Sequence, residues 1–194
     1  MRVVDVSPHD YTTWHNFASL TKADGMRFAL LDRIEVLVPG EKIEAVKCLS
    51  LAEEYLADHF PQAPVLPGVM MLEALVQASA WLIRVDQQFA HSLVTLSQVR
   101  AVKYANFVEP GQTLRVSSQI TGAMGQETKL KAEGQVEGKT AVSCRLVMTS
   151  ANLSDTAVDE NAKQDAIARD AFIIERMKRT FRLLCPAGFA ALAS

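Results

Sequence analysis

Glu73 is the residue whose type and position point most directly to chemistry. It is the only ionisable side chain between Gly68 and Ile83, in the most apolar stretch of the chain. Removal from water disfavours a charged carboxylate, so burial there raises the pKa of the carboxyl group. A glutamate tuned in this way keeps its proton near neutral pH and can act as a general acid. Gln77, one helical turn later, can hold the carboxyl in one orientation. The alternative is a glutamate that only reaches solvent or pairs with a buried partner.

His59 is the second candidate, because it begins a segment that contains Pro61, Pro64 and Pro67. A histidine with an ordinary pKa of about 6.5 can act as a base at pH 7. The prolines fix φ and remove backbone donors, so residues 59–68 can be neither a helix nor a central strand. We expect a rigid loop, which is typical of a preorganised site. Alone, such a histidine is more often structural or exposed.

Gly68 follows this loop at the predicted start of a helix. The amides of Gly68 and Val69 lie at the helix N-terminus, where they can stabilise an oxyanion. Glycine also lets a substrate carbonyl approach the backbone closely. A general base (His59), an acid with a raised pKa (Glu73) and an oxyanion donor are what elimination of water next to a thioester carbonyl requires.

The pattern of apolar residues predicts the elements that position these groups. Residues 69–85 are apolar all round, which predicts a helix buried on most sides. In Ile34–Val38 the apolar residues follow a period of two, and the extended pattern resumes over residues 42–50. From about 92 to 150 the same period predicts antiparallel strands with one wet face. The inward residues are Leu114, Val116 and Ile120, then Thr128, Leu130, Ala132 and Val136, then Val142, Cys144, Leu146 and Met148.

The predicted order is therefore two strands, one helix and four strands. A curved antiparallel sheet around the helix, an α+β architecture, buries such a helix most simply. Residues 92–105 alternate poorly, which predicts a bulge or a strand covered on both faces. Helical spacing with Asp159 as N-cap predicts a helix in the tail. We divide the chain into an N-terminal extension (1–25), the main domain (26–150) and a C-terminal helical extension (151–194).

Composition excludes several other classes of protein. The net charge of −2 gives no indication of nucleic acid or of a membrane surface as a partner. Asp5 and Asp10 interrupt the region where a signal peptide is apolar. The apolar stretch 68–83 is shorter than a membrane span of about 20 residues. The three cysteines are widely separated, which favours reduced thiols and neither a zinc site nor disulfides. We expect a cytoplasmic protein.

The central motif resembles that of the FabZ-type 3-hydroxyacyl-[acyl-carrier-protein] dehydratases, which have the hot-dog fold. The matching residues are His59-Phe60-Pro61, Pro64, Pro67-Gly68-Val69, Leu72-Glu73-Ala74 and Gln77. Weaker similarities are Phe28 to Arg33, Lys103-Tyr104 and Val108 to Gln112. Asp58 and Gln62-Ala63 depart from the usual pattern, which leaves the acyl substrate and the pathway open.

The resemblance implies a central helix wrapped by the sheet, in a homodimer or a trimer of dimers. Each active site then combines His59 of one chain, as base, with Glu73 of the other, as acid. Phe60, Pro67, Gly68, Val69 and Gln77 belong to the substrate site. The implied reaction is dehydration of (3R)-hydroxyacyl thioesters to trans-2-enoyl thioesters in fatty-acid or related acyl-chain biosynthesis. The partner is acyl carrier protein, whose phosphopantetheine arm carries the substrate, and no metal or organic cofactor is implied.

Three other functions stay open at this point. A hot-dog thioesterase also uses a carboxylate on the helix, but it lacks the His-Phe-Pro loop. An enoyl-thioester hydratase uses the same site in the reverse direction, and sequence cannot separate the two. A non-catalytic acyl-binding module is the alternative from another class, and both His59 and Glu73 speak against it.

Overall fold

The structure is a computed structural model that describes residues 28–185. The predicted N-terminal extension lies outside the described residues, and the boundaries at 25/26 and 150/151 remain predictions. The described strands are β1 (Arg33–Val38), β2 (Lys42–Cys48), β3 (Leu93–Tyr104), β4 (Thr113–Met124), β5 (Glu127–Val136) and β6 (Lys139–Ala151). The helices are α1 (Gly68–Asp86) and α2 (Glu160–Leu184), with 3-10 turns at Glu54–Leu56 and Leu153–Thr156.

The six strands form one antiparallel sheet in the order β1-β2-β4-β5-β6-β3. Helix α1 packs across it and contacts every strand from β2 to β6. Leu75, Ala78 and Leu82 of this helix are fully buried. The predicted α+β architecture and the order of its elements are confirmed.

Helix α1 is longer than the apolar stretch 68–83. With 19 residues it has the length and hydropathy of a membrane span, so the expectation that it is too short is wrong. More than half of its most apolar window is buried inside the protein, however. Apolarity on all sides is also what a helix at the centre of a wrapped sheet requires.

The strands confirm most of the predicted alternation, with one correction in β1. In β5 and β6 the predicted inward residues are buried. In β1, however, Ile34 and Leu37 are buried and Val38 is exposed. The register of β1 against β2 shifts between Ile34 and Val36, and a bulge there moves the following side chains to the opposite face. The period of two predicted for this strand is therefore wrong.

Strand β3 alternates poorly because it is bulged. Its register against β6 shifts between Leu96 and Gln98 and again between Arg100 and Lys103. Ala101, in the second shift, has a φ of 54°, in the left-handed region. β3 is also an edge strand, so one side of its backbone faces away from the sheet.

Helix α2 packs on the far end of α1. Its predicted N-cap is confirmed, because Asp159 Oδ1 accepts a hydrogen bond of 2.8 Å from the amide of Ala162. Phe181 of α2 is fully buried, with its ring centroid 5.9 Å from that of Trp81 and 5.7 Å from that of Phe89. These three rings join the tail helix to the core.

Asp170 makes a second, polar junction between α2 and the sheet. Its buried carboxylate accepts hydrogen bonds from Ser92 Oγ, from Leu153 N at 2.8 Å and from Ser154 N at 3.0 Å. Burial alone raises the pKa of this carboxyl, but the hydrogen bonds from Ser92, Ser154 and Leu153 outweigh burial and lower it. The folded state therefore favours the ionised form.

Asp170→Asn is expected to lower the free energy of unfolding by about 1–3 kcal/mol at pH 7, because a buried, charge-assisted network loses its charge. The pKa of Asp170 is lower in the folded than in the unfolded chain. Its contribution is therefore complete above the unfolded value of about 3.9 and is lost as the pH falls through the folded value. Urea titrations at several pH values should show the difference shrinking below about pH 4. Asp165→Asn, an exposed site on the same helix, is the matched control.

Candidate active site

The loop that carries His59 is held at both ends. At its start the His59 amide donates to Leu56 O of the first 3-10 turn, at 3.4 Å. At its end the buried Leu66 donates from its amide to the carbonyl of buried Val108, at 2.8 Å. The His59 ring lies edge-on to Phe60, with centroids 4.5 Å apart. The loop is thus ordered by backbone contacts, as its prolines predict.

Phe60 turns the chain immediately after His59. Its φ is 51°, a left-handed conformation that is uncommon for an aromatic residue, and its side chain is 62% exposed. An exposed aromatic ring on a strained backbone position is typical of a functional site.

A partly buried ion pair that sequence analysis missed ties the same turn to the sheet. Lys47 of β2 is 4% exposed, and its Nζ donates to Glu53 Oε1. Glu53 immediately precedes the 3-10 turn that leads to His59. The signal was present in the sequence, because Lys47 continues the inward register of Ile43 and Ala45, and a buried lysine needs an acidic partner.

The N-terminus of α1 presents uncapped amides. Within residues 28–185, no side chain caps this end of the helix, and the Pro67 carbonyl accepts from the amides of Met70 and Met71 at 2.9 and 3.1 Å. The amides of Gly68 and Val69 precede these and lie at the positive end of the helix dipole. The Val69 side chain is 69% exposed. These two amides are oriented to receive a partial negative charge.

Tyr104 packs against the position of Gly68. A Cβ on Gly68 would lie 3.1 Å from Cε1 of the Tyr104 ring, closer than ordinary van der Waals contact. The Tyr104 ring therefore lies directly against Gly68, the first residue of α1. Tyr104 itself is half exposed. In the sequence, Tyr104 was noticed only as one of the weaker similarities to the FabZ-type family, and nothing there indicated this contact.

Glu73 lies in the second turn of α1 and is half-buried. Burial raises the pKa of its carboxyl group, and the hydrogen bond from Gln77 partly opposes this. The direction of the shift expected from the sequence is confirmed. Gln77 Nε2 donates to Glu73 Oε1 at 2.9 Å, so the two side chains meet one helical turn apart.

The predicted residues fall into two groups in the single chain. Gly68, Val69, Glu73 and Gln77 share the first three turns of α1, and the loop with His59 precedes them. Among the residues that the structure describes, no hydrogen bond joins His59 to Glu73. A polar groove of about 410 Å³ lies elsewhere, on strands β2, β4 and β5, and none of the predicted site residues lines it.

Comparison with known proteins identifies the family to which this chain belongs. The model of the FabA-like domain matches residues 23–145. FabZ 3-hydroxyacyl-[acyl-carrier-protein] dehydratase of Ruminiclostridium cellulolyticum is 35% identical over 126 residues, which are 64% of this chain and 89% of the relative. The enzyme of the same name from Zymomonas mobilis is 36% identical over 58% of this chain and 72% of its own length.

A solved structure supports the fold. The dehydratase heterocomplex ApeI:P from Xenorhabdus doucetiae aligns with a TM-score of 0.55 at 21% identity, over 66% of this chain and 87% of that one. At this identity the likeness concerns the fold alone, which is the hot-dog fold expected from the motif. The matched residues also end before α2. On the family match and the relatives together, this chain belongs to the FabA-like domain family, among relatives of the FabZ type.

Proposed function

We propose that this protein dehydrates 3-hydroxyacyl thioesters carried by acyl carrier protein to trans-2-enoyl thioesters. The observation that carries the proposal is Glu73, a half-buried carboxyl group with a raised pKa, placed one turn beyond the uncapped amides of Gly68 and Val69. The relatives of this chain that are named FabZ dehydratases support the same substrate class. The (3R) configuration, the pathway and cytoplasmic location remain predictions from the sequence.

The proposed reaction is an elimination of water in which the protein's only chemical task is to take up one proton and to donate another. His59 removes a proton from C2, and the electron pair of that C–H bond forms the C2=C3 double bond. The amides of Gly68 and Val69 hold the thioester oxygen while negative charge accumulates on it. The C3–O bond breaks with its electrons on oxygen, which takes a proton from Glu73 and leaves as water. Phe60 and Pro67 belong to the substrate-binding surface beside these groups. The step calls for no metal or organic cofactor.

We further propose that a second copy of the chain completes each site. In one chain His59 is not bonded to Glu73, and β3 is a sheet edge whose backbone can pair with another strand. Pairing β3 with β3 of the partner continues the sheet and supports a dimer in which His59 of one protomer serves Glu73 of the other. A trimer of such dimers is consistent with the same contact.

The test is turnover by the purified full chain of short and medium (3R)-3-hydroxyacyl thioesters on acyl carrier protein. Mass spectrometry should record loss of one water and no free acid. His59→Ala is expected to reduce kcat about 10²–10⁴-fold, because it removes the general base. Hydrolysis to the free acid would indicate a thioesterase. A folded wild-type protein that binds acyl thioesters without converting any of them would support an acyl-binding module and refute the dehydratase.

A further inference from the structure

The amide side chain of Gln77 has a partner for each of its polar groups. Its Nε2 donates to Phe28 O at 2.8 Å and to Glu73 Oε1 at 2.9 Å, and its Oε1 accepts from Leu30 N at 3.0 Å. A backbone carbonyl can only accept and a backbone N–H can only donate. The segment that precedes β1 therefore decides which end of the amide faces the carboxyl group, and this end is the NH2 group.

This orientation has a consequence for the acid form of Glu73. A neutral carboxyl has one carbonyl oxygen and one hydroxyl oxygen, and the carbonyl oxygen is the better acceptor. Because Oε1 accepts from Gln77, it is the carbonyl oxygen. The proton of Glu73 is then carried by Oε2.

We propose, on the basis of the function proposed above, that Gln77 is a positioning residue that confines the transferable proton to Oε2 of Glu73. Oε2 is then the atom that protonates the departing hydroxyl, which leaves as water with the electron pair of the C3–O bond. The negative charge stays on the carboxylate, where Oε1 keeps its hydrogen bond from Nε2. Phe28 and Leu30 thereby take part in acid catalysis through backbone atoms.

The surroundings of Glu73 leave Gln77 as the main polar influence on it. Burial raises the pKa of Glu73, and Gln77 lowers it by stabilising the ionised form. Within residues 28–185, no charged side chain of any element contributes to this pKa. The titratable group that the proposed dimer brings to the site is His59. Removal of Gln77 should therefore act directly on the titration of Glu73.

Two substitutions test the proposal. Gln77→Met keeps the length of the side chain and removes its hydrogen bonds, so the pKa of Glu73 is expected to rise further. Gln77→Glu keeps an acceptor for Leu30 N but puts a second carboxyl group beside Glu73. The two carboxyl groups are then expected to share a proton and to titrate with separated apparent pKa values. The readout is ¹³C NMR of protein labelled at glutamate Cδ, with the Glu73 signal assigned from its loss in Glu73→Gln.

Kinetics provide the second readout. We expect kcat to fall about 10- to 100-fold in both variants, the loss of one hydrogen bond to a charged group, with little change in KM. Gln88→Glu is the control, because it makes the same charge change at an exposed position just beyond α1. It should alter neither kcat nor the titration of Glu73.

Hydrogen exchange at the Leu30 amide shows whether the bonds of Gln77 are lost. Faster exchange there with a wild-type titration of Glu73 would mean that Gln77 only holds the chain together, and would overturn the proposal. The titration requires no turnover. A protein that never dehydrates a substrate, but whose Glu73 titration shifts as described, would therefore refute the function and still support the hydrogen bond by which Gln77 acts on the carboxyl group of Glu73.

Discussion

Glu73→Gln is expected to reduce kcat for dehydration by about 10²–10⁴-fold, because the departing hydroxyl loses its proton donor. Glutamine has nearly the same shape as protonated glutamate, so KM and the free energy of unfolding should change little. In the wild type, kcat should also fall as the pH rises through the raised pKa of Glu73, because only the protonated form donates. Steady-state kinetics across pH with an acyl thioester substrate provide the measurement. A fully active Glu73→Gln protein would rule out this residue as the acid.

Mixing the two inactive variants tests the dimer as well. If His59 of one protomer serves Glu73 of the other, a hybrid of His59→Ala and Glu73→Gln chains contains one intact site and one doubly altered site. Co-expression is then expected to restore activity, up to one intact site for each hybrid dimer. If both residues act within one chain, every site in the hybrid has one defect and no activity returns.

Phe181→Ala is expected to lower the free energy of unfolding by about 3–5 kcal/mol. The ring is fully buried between Trp81 and Phe89, so its removal leaves a cavity that the rigid end of α1 cannot fill. Urea denaturation followed by tryptophan fluorescence reports the change, because Trp81 lies in contact with the removed ring.

Phe172→Ala is the matched control on the same helix. Its ring is 67% exposed, so we expect a change within about 0.5 kcal/mol. Equal effects of the two substitutions would mean that α2 does not pack on α1 in solution. A loss confined to Phe181→Ala would establish the tail helix as part of the core.

Patterns that repeat along the chain made much of the fold predictable. The helix around Glu73 is apolar on all sides, and strands β5 and β6 alternate cleanly, so their type and their inward residues follow from periodicity. Asp159 could likewise be predicted as an N-cap, because its carboxylate only has to reach a backbone N–H in the first turn of the same helix. The direction in which the pKa of Glu73 is shifted could be predicted from its apolar neighbours in the sequence alone.

Features that depend on distant backbone could not be predicted. The bulge in β1 comes from its register with β2, and Ala101 takes up the second irregularity of β3 against β6. Gln77 was expected beside Glu73, but its contacts with Phe28 and Leu30 lie almost fifty residues away in sequence. The Tyr104 ring against Gly68 is of the same kind. No local pattern encodes which loop or strand passes over a given helix.

The contacts of Phe181 with Trp81 and Phe89 imply that the part of the chain that unfolds as one unit extends beyond residue 145, where the match to the family model ends. A chain ended at residue 145 would lose residues 146–151 of β6, which pair with the first half of β3, together with all of α2. Trp81 and Phe89 would then face water as an adjoining apolar surface, the kind that leads destabilised proteins to self-associate. We therefore expect that residues 23–145, the stretch that the family model matches, do not fold stably on their own in this chain.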